Sequence, residues 1–149
     1  MDVDELDVPI AGLHHVGILV ADLAAAESFA TEVLGMTVAK RASIPAESTE
    51  IVFLDCGPVQ IELIEVSDPE VLSRRQRLPG AAVEIEHLAL RVDDVEAVSE
   101  RLSTLGLRFT AGAGKPVESS TPLEVAGTRS LFTVPDSAGG FLVQLIEGP

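Results

Sequence analysis

Short apolar runs alternate with helix-length amphipathic ones along this chain, and the order comes round twice. Residues 13–20 (Leu-His-His-Val-Gly-Ile-Leu-Val) read as a strand. His15, Gly17 and Leu19 fall on one face, and His14, Val16, Ile18 and Val20 on the other. Asp22 then precedes a helical stretch over 23–34 that Gly35 ends, as an N-capping Asp and a glycine just past the last turn would require. Residues 85–92 repeat the strand, with His87, Ala89 and Arg91 opposite Glu86, Leu88, Leu90 and Val92. Asp94 precedes a second helix over 95–105, ended by Gly106. An offset of 72 residues aligns His15 with His87, Val20 with Val92 and Asp22 with Asp94, so a strand–cap–helix unit has been doubled. The Val16/Ile18/Val20 and Leu88/Leu90/Val92 faces are expected under helices. His15 and His87 then point to the opposite face, where small Gly17 and Ala89 leave room.

The repeat continues past the helices. Ile61-Glu62-Leu63-Ile64-Glu65 sits over Val143-Gln144-Leu145-Ile146-Glu147 at an offset of 82. Each of these apolar strands is interrupted by one polar residue, Glu62 or Gln144. Residues 50–54 and 129–133 read as the strands before them. Each half is thus strand, helix, then about three strands: an α+β chain of two tandem βαβββ modules. Residues 36–44 form a second strand, ended by Pro45, and Cys56-Gly57-Pro58 is a hairpin turn. Residues 107–110 pair in the sheet, 111–122 are a Gly/Ser/Pro-rich flexible loop, and 135–140 are a tight turn. The boundaries are an acidic, loose tail over 1–10 and a single domain over 11–149. Module 1 covers about 11–67, a linker with one helical turn about 68–82, and module 2 about 83–148.

Composition narrows the partners. The chain has 149 residues, of which 46% are hydrophobic but only 3% aromatic, with no Trp or Tyr. The core is therefore aliphatic, and flat aromatic ligands that need stacking rings are disfavoured. A formal charge of −14 argues against nucleic acid. Cys56 is the single cysteine, so no disulfide forms within the chain. No apolar run has the length of a membrane span, and the acidic start is unlike a signal peptide. The expectation is a cytoplasmic protein with no membrane partner. Apolar strands near the module edges point to a homodimer. Arg74, Arg75 and Arg77 in the linker are positioned to meet phosphates, although a solvated linker is the plainer account of them.

The residues that interrupt the repeats are His15, Glu62, His87 and Gln144. Each half supplies one histidine at the start of its first strand and one carboxylate or amide in its last. Two imidazoles with oxygen donors suit a divalent ion of the Zn, Co, Mn, Ni or Fe type. No short spacing motif selects these residues; the repeat register does.

Four blocks carry a resemblance: Leu13-His14-His15-Val16-Gly17-Ile18, Gln60-Ile61-Glu62-Leu63-Ile64-Glu65, Glu86-His87-Leu88-Ala89 and residues 139–145. Over residues 11–148 they resemble the vicinal oxygen chelate (glyoxalase/bleomycin resistance/dioxygenase) superfamily, and within it the methylmalonyl-CoA epimerases. The resemblance implies a cupped mixed β-sheet with helices outside, a divalent metal (Co, Zn, Mn or Ni), and an acyl thioester substrate that could be a CoA ester. It also implies that His15, Glu62 and His87 are metal ligands. Gln144 falls where the family has a glutamate that is both ligand and catalytic base. Glutamine can coordinate through its carbonyl but cannot take a proton at neutral pH. The family's other catalytic glutamate falls nearest Ala46; a shift of one residue would make Glu47 the base, and an exposed loop acid is the alternative. Arg74, Arg75, Arg77 and Lys115 are candidates for the CoA phosphates. The implied activity is epimerisation of a 2-substituted malonyl thioester through an enolate. A non-catalytic binding or resistance protein and a natural-product isomerase or lyase are the alternatives on the same fold.

Overall fold

The computed structural model describes residues 10–125 and 127–149; residues 1–9 of the tail expected over 1–10 lie outside them. In chain order the strands and helices are β1 (Ile10–Val20), α1 (Leu23–Ser28), β2 (Val38–Ile44), β3 (Thr49–Cys56), β4 (Val59–Val66), α2 (Pro69–Arg75), β5 (Val83–Val92), α3 (Val95–Ser103), β6 (Phe109–Thr110), β7 (Leu123–Val125), β8 (Thr128–Thr133) and β9 (Val143–Glu147). These elements make a mixed β-sheet of nine strands with three helices among the described residues. Two compact units divide it: residues 15–88, and residues 10–14 with 89–149. No described helix is long and apolar enough to cross a membrane.

In the unit of residues 15–88 the strands run β2-β3-β4-β1. β2 and β3 pair antiparallel, as do β3 and β4, whereas β4 and β1 run parallel. Gly57, at φ 63°, makes the tight turn between β3 and β4, a backbone region open to glycine at little cost. Ile18 and Val20 of β1 pack with Leu23, Ala26 and Ala30, over Val52, Leu54, Ile61 and Leu63. Leu19, on the other face, packs with Ile51, Phe53, Ile64 and Val66, closed by Val71 and Leu72 of α2. α2 forms because Asp68 accepts hydrogen bonds from the Glu70 and Val71 amides and Pro69 takes the first helical position. The turn that follows is locked by buried Glu84, whose carboxylate accepts from the Arg77 and Leu78 backbone amides at 2.6–3.1 Å.

The other unit is built on β8, which pairs antiparallel with β9, β6 and β7. Leu131 and Leu145 are fully buried with Val92, Val95, Val98 and Phe109, and α3 covers them.

Several expectations are corrected here. Ile10, counted with the tail, begins β1. The first helix loosens after Ser28 into a π turn over Phe29–Val33, with the Leu34 amide bonded to the Phe29 carbonyl. β7 was not expected: it is three residues long and too short to show alternation, so its pairing with β8 defines it. Leu88 was expected to pack under a helix but is 36% exposed. The cause is a one-residue slip in the burial alternation of β5: Glu84 and Glu86 are buried, and so are His87 and Ala89. β1 slips in the same way, with His14 and His15 both buried.

Candidate metal centre

Three side chains from distant parts of the sequence meet inside the unit of residues 15–88. His15 comes from β1, Glu62 from β4 and His87 from β5. The parallel register sets Gly17 opposite Glu62, two residues beyond His15 along the strand. Glu62 Oε1 lies 3.5 Å from His15 Nε2 and 3.3 Å from His87 Nε2, and the two Nε2 atoms are 3.3 Å apart. All three residues are buried, at 2%, 8% and 3% exposure for His15, Glu62 and His87. Ligand atoms held about 2.0–2.2 Å from one Zn-type ion lie roughly 3–3.5 Å from each other. The donor atoms are therefore positioned to hold a metal ion, as their separations and chemistry both require.

Each imidazole is held in its own way. The His15 ring meets the edge of Phe53, centroids 5.5 Å apart and planes at 88°. His87 is held by charge. Its Nδ1 lies 2.9 Å from Glu86 Oε1. Arg75 Nε and Nη2 in turn each donate to a Glu86 oxygen at 2.7 Å. The His87 ring also fills the space in front of Gly17: a Cβ on Gly17 would stand 2.1 Å from His87 Cε1. No side chain larger than hydrogen is compatible with that ring position.

The titration of the cluster follows from these contacts. Burial opposes the Glu62 carboxylate, but hydrogen bonds from His15 and His87 outweigh it and hold the carboxyl well below the usual range. Burial likewise disfavours charge on His87, and hydrogen bonding to Glu62 and Glu86 overcomes it, raising the imidazole to about 9. Glu86 is lowered against its burial by His87 and Arg75. Each case is one of desolvation beaten by close opposite charge.

The remaining candidate residues lie on other elements. Glu47 ends a 3-10 turn (Pro45–Glu47) just before β3 and is half-buried; its charge acts on Arg75. Gln144 lies in β9 opposite Phe132, half-buried in the other unit. Arg74 is on the exposed side of α2, 3.6 Å from Glu70. Arg77 is exposed beyond that helix, and Lys115 is exposed in the 111–122 loop. Arg75, grouped with them by sequence, differs: its side chain is 7% exposed and bound to Glu86. A guanidinium so committed faces a carboxylate, not a phosphate. Glu86 itself was missed, because strict alternation sets it on the face opposite His87. The polar doublet Glu86-His87, matching His14-His15, was the signal of the slip.

The chain belongs to the glyoxalase/bleomycin resistance protein/dioxygenase superfamily, whose sequence profile matches residues 14–123. Among individual proteins it is similar to the mitochondrial methylmalonyl-CoA epimerase of Mus musculus, 28% identical over 135 residues, 89% of this chain and 71% of that one. It is also similar to a 2-epi-5-epi-valiolone epimerase of Actinomyces sp, 32% identical over 92% of this chain and 79% of the relative. The crystal structure of methylmalonyl-CoA epimerase from Mycobacterium tuberculosis superposes with a TM-score of 0.78 at 28% identity, over 94% of this chain and 89% of that one. The relatives so matched are epimerases, and the fold is theirs.

Proposed function

We propose that this protein is a metal-dependent epimerase or isomerase of an acyl thioester of the 2-substituted malonyl type. The observation that carries the reading is the meeting of His15, Glu62 and His87 Nε2, Oε1 and Nε2 within 3.5 Å of one another, in a chain whose relatives are epimerases. Two imidazole nitrogens and one carboxylate oxygen suit Co, Zn, Mn or Ni. An ion held by His15, Glu62 and His87 would supply Lewis acidity, offsetting the charge that develops on the substrate as its α-proton leaves.

The protein's own residues supply the rest. Burial of the three ligands excludes water and strengthens electrostatic interactions at the site. Glu47 is the proposed base: a carboxylate on a short turn, able to take the α-proton and return it to carbon. Gln144, assigned by family resemblance, offers an amide oxygen as a further ligand but no proton acceptor. Proton transfer then rests on one carboxylate, so α-proton exchange is expected to exceed full inversion. Arg74, Arg77 and Lys115 are the cations proposed for CoA phosphates.

One set of observations favours a second reading, an isomerase of a natural-product substrate that is not a thioester. The 32% identical relative is named for such a substrate, the chain carries −14, and Arg75 is withdrawn onto Glu86. The experiment is elemental analysis of the purified protein beside His15→Ala and His87→Ala, followed by solvent deuterium exchange. About one divalent ion per chain, lost in both variants, supports the metal reading; no ion after incubation with Co, Zn, Mn or Ni overturns it. Exchange into methylmalonyl-CoA supports the thioester. Exchange into 2-epi-5-epi-valiolone alone moves the assignment to the second reading.

A further inference from the structure

The geometry points to Glu86, pinned by Arg75, as a positioning residue that fixes the His87 imidazole with its Nδ1–H directed away from the metal centre and its Nε2 directed into it. The inference rests on the metal reading of the site and extends it to two residues outside the ligand set.

Four observations meet here. His87 Nδ1 lies 2.9 Å from Glu86 Oε1, while its Nε2 faces Glu62 and His15. Glu86 is itself fixed, because Arg75 donates to both of its oxygens at 2.7 Å in the fork geometry that restricts a carboxylate most. The pair is buried, with side chains 7% and 1% exposed for Arg75 and Glu86. Placing two charges out of water is poorly repaid as stability alone, so a task beyond packing accounts for them better. Finally, Glu86 and His87 are neighbours along β5 and are buried together.

An imidazole can coordinate through either nitrogen, and the hydrogen bond at the other nitrogen decides which. Glu86 accepts the Nδ1 proton and leaves the Nε2 lone pair for the ion. Arg75 cancels the Glu86 charge, so the ring is oriented without adding another net negative charge beside Glu62. The His15 ring meets the edge of Phe53. In the repeat alignment the position of Glu86 is taken by His14, whose Nε2 lies 3.0 Å from the Pro149 carbonyl oxygen.

The test uses full-length protein, Glu86→Gln, and the double variant Glu86→Leu/Arg75→Met, which removes both buried charges together and keeps the site packed. Two readouts are taken on each folded variant: Co(II) affinity by chelator competition, and ¹⁵N shifts of the His87 ring in metal-stripped protein above pH 9.5. The wild type is expected to show one tautomer, protonated at Nδ1. The double variant is expected to fold, to show mixed or Nε2-protonated His87, and to bind Co(II) roughly 10–100-fold more weakly. Glu86→Gln keeps an acceptor oxygen and is expected to fall between the two. A double variant with wild-type affinity and an unchanged tautomer would overturn the inference and leave the pair a structural one. Should the wild type bind no metal, the metal reading fails, and the tautomer measurement still decides what Glu86 does to His87.

Discussion

The strand that carries His15 and the strand that carries His87 started from one plan and diverged in what holds the imidazole. In β1 the ring meets the edge of Phe53. In β5 it is a buried carboxylate and guanidinium. The partners two residues further on also differ: Gly17 has no space for a Cβ, whereas Ala89 carries one and is fully buried. The interrupting residues of the last strands differ as well, Glu62 in β4 being a buried anion and Gln144 in β9 a half-buried amide. A doubled fold is free to differentiate in this way. Backbone repeats preserve where a side chain is placed, and one substitution per copy then changes what it does. Here Glu62 and Glu86 are buried carboxylates of one half, and the residue that matches Glu62 in the other half, Gln144, is neutral.

The largest effect is expected from restoring the symmetry at that point. Gln144→Glu supplies a proton acceptor and should raise the rate of α-proton exchange by about 10²-fold or more, as general-base catalysis usually contributes. Deuterium incorporation measures it, and an unchanged rate would remove Gln144 from the site. Gly17→Ala comes next. The added methyl meets the His87 ring, so Co(II) affinity should fall about 10–100-fold, with the cost of an overpacked core, roughly 1–3 kcal/mol. Ala89→Gly, at the matching place, should lose only about 1–2 kcal/mol, for a buried methyl and added chain freedom. Equal losses of Co(II) affinity in the two variants would erase the distinction.

A pH series tests the His87 imidazole. His87 is raised to about 9 in the folded protein from an ordinary 6.5. Its proton therefore adds stability fully below pH 6.5, and this is lost as pH rises through about 9. Metal requires the neutral ring, so Co(II) affinity should rise with pH up to about 9, at up to about tenfold per unit from this proton. Thermal denaturation of metal-stripped protein should show the opposite slope, its Tm falling between pH 6.5 and 9. His87→Ala should flatten both.

The smallest effect tests what the copies still share. Asp22 and Asp94 each accept a hydrogen bond at 3.0 Å from the amide three residues on. Asp22→Ala and Asp94→Ala should each cost about 1 kcal/mol, read as matching shifts in urea midpoint. A much larger loss at one cap would show that the helices no longer do equivalent work.

The repeats singled out His15, Glu62 and His87 together with Gln144, because a period of two along strands and a doubled unit constrain direction strongly; the structure groups the first three. Both N-caps and the Gly35 and Gly106 stops were legible from the sequence, because each depends on residues within a few positions. Arg75 and Glu86 lie 11 residues apart, on a linker helix and a strand. Their pairing follows no period and needed the structure. The slip at Glu86-His87 defeated the alternation rule that had located His87 correctly. β7 is defined only by its hydrogen bonds to β8.

What the sequence by itself determined is therefore the plan: two βαβββ copies, the caps that start their helices, and the four polar interruptions, His15, Glu62, His87 and Gln144, that the repeats single out. Tertiary structure alone decided that the donor atoms converge to 3.3–3.5 Å, that Gly17 must stay bare, and that Arg75 serves Glu86. Periodicity encodes direction within an element. Distances between elements are set by how the elements pack, and a buried ion pair is chosen there, where desolvated charges must find each other.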